Sequence, residues 1–150
     1  MIAFGASLAA FLVAALIAFL VEGPREAAKI LADPSGPDLK KGPLVRRRIA
    51  ILSPLVVTCC FLGELPALGL VAVAMAVWGG FVPVHRLTLN LTRGVTWWFL
   101  SPKNGYDAKW LMLFGRLPMK TTAGVMYAAE LLVAALGLWC SWLLARVAEA

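Results

Sequence analysis

Apolar and polar stretches alternate along the 150-residue chain in a pattern that predicts four long helices. The first apolar run, Ala3 to Val21, has no charge in nineteen residues and spans about 28 Å as a helix. The second and third lie inside one stretch, Ile49 to Val84, thirty-six residues with Glu64 as its single charge. That is more than the roughly 20 apolar residues one crossing needs, and it is interrupted at Gly63-Glu64-Leu65-Pro66. The pattern therefore predicts a tight helical hairpin, residues 49–63 and 66–84, turning at that tetrad. Pro54 falls in the first turns of the shorter arm, where a missing N–H costs little. The fourth run, residues 121–145, is broken by Glu130 and closed by Arg146.

Two polar segments separate these runs. Residues 22–48 hold Gly23-Pro24, Asp33-Pro34-Ser35-Gly36-Pro37 and Gly42-Pro43, each of which reads as a turn. Between the turns, Arg25 to Ala32 reads as a short surface helix. In residues 85–120, His85, Arg86, Arg93, Lys103, Lys109, Arg116 and Lys120 face one acid, Asp107. Trp97, Trp98, Phe99, Tyr106, Trp110 and Phe114 are interleaved with them, as in a segment lying among lipid headgroups. Asn90-Leu91-Thr92 matches a glycosylation acceptor, but on a cytoplasmic face it would stay unmodified.

Composition turns this pattern into a class. The chain is 61% hydrophobic and 15% charged, against about 25% charged in soluble domains. Lipid must be the solvent for most of it. The expected fold is a single all-α integral membrane domain with four transmembrane helices, the second and third as a tight hairpin, plus the interfacial aromatic-basic segment. Ala3 to Val21 has no Lys or Arg before it and no small-residue cleavage site after it, so it reads as a retained helix. Small residues repeat along the helices: Ala6, Ala10, Ala14 and Ala18, then Ala72, Ala76 and Gly80, then Gly137, Ser141 and Ala145. At such spacings helices approach closely in lipid.

The net charge of +6 resides in the two segments flanking apolar runs, which points to orientation by basic residues, not to nucleic acid. Four crossings put both basic segments, 22–48 and 85–120, on the cytoplasmic side. Both termini and Glu64 then lie outside. A re-entrant 49–84 leaves the termini where they are. The expected location is the inner (cytoplasmic) membrane, with membrane lipid as partner, together with other membrane subunits or further copies of the chain. Arg46, Arg47, Arg48, Trp97, Trp98 and Trp110 are the expected interfacial anchors.

Chemistry is sparse. Cys59, Cys60 and Cys140 form no disulfide framework, and one histidine without a CxxC predicts no metal site. No cofactor beyond bound lipid is expected. Paired carboxylates, nucleophile elbows and phosphate loops are absent from the sequence, so no enzyme is expected. Glu130 is the main candidate, ten residues after Lys120 and so near the bilayer midplane, on one helix face with Tyr127 and Ser141. A charge there is costly and therefore informative. Glu64 is a turn acid, and His85 has no evident partner. The expected function is a structural or accessory subunit of a larger membrane complex. The alternative is a self-associating pore, holin or ion or small-solute carrier using Glu130.

Overall fold

The computed structural model describes residues 2–32, 41–62, 65, 67–102 and 105–148. All regular structure among them is helical: α1 Ile2–Ile17, α2 Gly23–Ala32, α3 Lys41–Leu62, α4 Ala67–Thr92, α5 Gly105–Leu113 and α6 Met119–Ala148. Three stretches are long and apolar enough to cross a membrane: Phe4–Ala32, Ala67–Thr92 and Met119–Val147. The second expected crossing corresponds to α3. It has 22 residues, but Arg46, Arg47 and Arg48 lie in its first half and leave fourteen uncharged ones, Ile49–Leu62. Gly42-Pro43 does not break the chain but falls in the first turn of α3, and Pro54 sits mid-helix. Glu64, with Gly63 and Pro66 of the expected hairpin turn, lies outside the described residues. So do the turn at residues 33–37 and Lys103.

Gly23-Pro24 was expected to end the first helix, yet the backbone runs on helically from Ile2 to Ala32. A π turn, Ala18–Glu22, joins α1 to α2, and the Gly23 N–H reaches back five residues to the Ala18 carbonyl. Pro24 has no N–H, and its ring would press on the carbonyl four residues back in a regular helix. A wider turn relieves that crowding. The same turn corrects a phase error. The stripe Ala10, Ala14, Ala18, Glu22, Glu26 repeats every four residues, so in a 3.6-residue helix it drifts about 40° per step. Widening the helix at Ala18–Glu22 takes part of that drift back, and all five residues stay buried.

α1 and α4 form the central pair, with α3 and α6 on opposite sides of it. The Cys59 thiol near the Ala6 carbonyl (3.4 Å) and Arg47 beside Glu22 make α3 antiparallel to α1. Gly80 against Phe11 and Gly23 against Thr88 make α4 parallel to α1. α6 runs antiparallel to α4 along the closest contact. There a Cβ on Gly137 would stand 2.5 Å from both the Ala72 oxygen and the Ala76 nitrogen, and one on Gly79 would stand 2.6 Å from the Ala134 nitrogen. The small-residue stripes expected on three helices are thus consumed within this chain. Large apolar side chains such as Leu16, Phe61, Leu68, Val71 and Leu132 face outward.

α4 ends at Gly94, whose φ of +69° is open to glycine and costly for other residues. The Gly94 N–H bonds to the Leu91 carbonyl and the Val95 N–H to the Asn90 carbonyl (3.0 and 3.1 Å). Together these satisfy two of the carbonyls a helix end leaves open. The chain then returns under α4 and α6, where Leu100, Ala123 and Met126 form a second small core with Trp98, Trp110 and Tyr127 packed on it.

Candidate functional site

Two ion-pair networks meet at neighbouring residues of α4, His85 and Arg86. Successive residues of a helix point about 100° apart, so His85 turns toward α2 and α3 while Arg86 turns toward α5 and α6. Glu22 and Glu26, one turn apart, project from the π turn and α2. Arg47 donates to Glu22 at 2.7 Å, and Arg48 donates to both oxygens of Glu26 at 2.9 and 3.1 Å. His85 Nε2 lies 3.0 Å from Glu26 Oε2 and 3.2 Å from Arg48 Nη2. One ring nitrogen cannot donate to the carboxylate and accept from the guanidinium at once. His85 also stacks on Phe81 (centroids 5.5 Å apart), and the Arg48 guanidinium lies 5.7 Å from the Phe81 ring centre. The Arg48 Nε is buried without a hydrogen-bond partner among the described residues.

The second network is deeper. Arg86, 8% exposed, donates from Nη1 to both oxygens of Glu130, 7% exposed, at 2.9 and 3.1 Å. Its Nη2 lies 3.2 Å from Asp107 Oδ1, an ion-pair contact without hydrogen-bond geometry. Tyr106 donates its hydroxyl to Glu130 at 3.1 Å. The guanidinium is covered by the rings of Tyr106 and Tyr127, at 5.3 and 5.7 Å, which suits the weakly hydrated planar cation. Asp107 also accepts from the Ser101 N–H at 3.0 Å, fixing α5 to the preceding loop. Burial pushes the Asp107 carboxyl above its usual range, and Arg86 offsets this only in part. One guanidinium therefore serves two carboxylates.

Of the three residues expected on one polar face, Glu130 and Tyr127 both meet Arg86, and Ser141 stands apart. Glu130 pairs with Arg86 of the same chain. Tyr127 donates to the Trp97 carbonyl at 3.1 Å, and Ser141 bonds to its own helix at the Gly137 carbonyl, 2.9 Å. Of the three arginines expected at headgroups, Arg46 is exposed, whereas Arg47 and Arg48 turn inward to Glu22 and Glu26. Trp97 is exposed, and Trp98 and Trp110 are half-buried against the second core. Asn90, 3% exposed, spends its amide on the carbonyls of Trp97 and Phe99 (3.2 and 2.9 Å), so its side chain is committed to the fold.

Sequence reading passed over Arg86, Glu26 and Asp107 as counted loop or flank charges. A usable signal was present at Arg86. No Gly or Pro falls between Pro83 and Gly94, so a helix can run past the arginine before it meets a breaker. Among the described residues no three His, Cys, Asp or Glu side chains gather to hold a metal, and Cys59, Cys60 and Cys140 are free thiols. Every buried charged side chain described has an opposite charge within 3.2 Å. Such closure makes the cluster suited to holding helices in register. Compared with protein families, curated proteins and solved structures, the chain matches none.

Proposed function

We propose that this chain is a rigid, structural subunit of a larger membrane complex, crossing the bilayer four times. The observation that carries the reading is the closure of the buried charges. Glu22, Glu26, His85, Arg86, Asp107 and Glu130 each have a partner of opposite charge within the same chain. A carrier needs a polar group able to exchange partners along a path, and here the polar groups hold each other.

The bilayer register follows from the same networks. Phe4–Val21 and Ala67–Val84 are uncharged runs of eighteen residues, and Leu131–Ala145 is one of fifteen. At 1.5 Å per residue these span about 22–27 Å, close to a hydrocarbon core of about 30 Å. Ile49–Leu62 spans about 21 Å, and arginine side chains at its start extend its reach. With the core on these runs, both networks form one belt at its edge. Glu130 then sits at the boundary instead of the midplane. Basic residues on the belt side make that side cytoplasmic and leave both termini outside.

A shallow, open apolar groove on the outer face of α4, lined by Val56, Leu70, Val71, Ala74, Met75, Trp78 and Val133, suits an apolar partner helix. The second reading is a self-associating pore or ion carrier using Glu130. It is favoured by the single guanidinium of Arg86 facing two carboxylates, Asp107 and Glu130. Extraction in mild detergent and mass determination of the intact particle separates the two. Foreign subunits in fixed ratio are expected. A particle of this chain alone that conducts ions in liposomes, and stops when Glu130→Gln is introduced, overturns the structural reading.

A further inference from the structure

Among the described residues, charge is segregated between the interior and the surface. Each described acid, Glu22, Glu26, Asp107 and Glu130, is buried and paired. The exposed charged side chains described, among them Arg25, Lys29, Arg46, Lys109, Arg116 and Lys120, are all basic. A protein surface facing water usually mixes the two signs. Among the described residues, each exposed charged position holds a cation.

α5 and the turn after it concentrate the effect beside apolar side chains. Met112 is 82% exposed, Leu113 72% and Leu117 43%, and Lys109, Arg116 and Lys120 surround them in the chain. Both features persist in a rigid setting. Trp110 stacks on Phe114 at 5.6 Å. The Phe114 N–H bonds to the Trp110 carbonyl and the Leu117 N–H to the Phe114 carbonyl, at 2.9 and 2.8 Å. Asp107 fastens the start of α5 through Ser101 and Arg86. Apolar tips next to cations, on a short helix tied to the bundle, suit a boundary where hydrocarbon lies beneath phosphate.

We propose that this face, residues 109–120, binds the headgroups of anionic phospholipids in preference to zwitterionic ones. Lys109, Arg116 and Lys120 would meet the phosphates, while Met112, Leu113 and Leu117 enter the acyl region. The inference rests on the membrane reading above but goes beyond it, since a membrane protein need not choose among lipids. Each basic residue near an anionic surface contributes about fivefold in binding, or about a hundredfold for three. The preference weakens with salt because the charges are exposed.

The test uses the full chain, purified in mild detergent and exchanged with equimolar phosphatidylglycerol and phosphatidylcholine. Lipid retained on the intact particle is then counted by mass. Phosphatidylglycerol should be retained at least tenfold over phosphatidylcholine in low salt, with the ratio collapsing in high salt. Triple substitution Lys109→Gln, Arg116→Gln and Lys120→Gln should remove the preference, whereas Arg146→Gln should preserve it. Equal retention of the two lipids by the unmodified chain overturns the proposal without needing any variant, and leaves the membrane reading intact. Loss of the preference on adding millimolar inorganic phosphate would identify a free anion as the ligand and also overturn it. Failure to retain either lipid or to sediment with vesicles would remove the membrane reading itself.

Discussion

Replacing Arg86 by methionine probes the belt most directly. The substitution keeps an apolar stem and removes the cation that faces Glu130 at 2.9 and 3.1 Å and Asp107 at 3.2 Å. Breaking a buried pair by deleting one partner costs about 3–5 kcal/mol. A second route gives a similar figure. A stranded carboxylate can shed its charge by taking a proton, which for an ordinary Glu or Asp costs about 4 kcal/mol at pH 7 and about 1 kcal/mol at pH 5. The variant's carboxyls therefore have raised folded-state values. Their contribution is most favourable below the ordinary carboxylate range and is lost as pH rises through those values. We expect Arg86→Met to be less stable than the parent by about 4 kcal/mol at pH 7, narrowing to about 1–2 kcal/mol at pH 5. Reversible unfolding by dodecyl sulfate in mixed micelles, followed by helical circular dichroism, measures both. Adding Glu130→Leu and Asp107→Leu should recover most of the loss at pH 7, since an apolar replacement of a whole buried network is often neutral. A deficit under about 1 kcal/mol at pH 7, or one that grows in acid, refutes the reasoning.

The α4–α6 seam makes a paired prediction. Gly137→Ala drives a methyl into the Ala72 and Ala76 backbone and should cost about 2 kcal/mol or more. Gly124→Ala on the same helix meets nothing within 4 Å and should be neutral or stabilising by up to about 1 kcal/mol. Unfolding of the two variants in the same micelles, with equal outcomes, would contradict the close packing. Topology is open to a labelling test in a background free of native cysteines. Lys29→Cys and Lys120→Cys should both resist an impermeant thiol reagent added from outside, and labelling of either defeats four crossings.

What the sequence disclosed and what it withheld have separate physical causes. Helices and their small-residue stripes were legible because periodicity is local: Ala10, Ala14, Ala72, Ala76 and Gly137 are all buried. Their partners were not. Only the packing of α1 on α3 and α4, and of α6 on α4, shows the stripes filled from within. Glu130 stood out because an acid in an apolar run is rare. Arg86, 44 residues earlier, did not, because a basic residue next to an apolar run already has an orienting role that accounts for it. Glu26 and His85 meet only through the π turn, and Gly23-Pro24 reads locally as a break in the helix.

The Arg86 pairing also bears on how the chain comes into being. Synthesis proceeds from the N-terminus, and α4 is complete well before Asp107 and Glu130 leave the ribosome. Through that interval Arg86 has no counter-ion from its own network, whereas His85, Arg47 and Arg48 can already meet Glu22 and Glu26. The first network can close once residue 85 has been made, and the second only after residues 107 and 130 have followed. A chain interrupted between residues 92 and 107 would thus carry an arginine without either of its carboxylate partners, an electrical mark that sets it apart from a longer one.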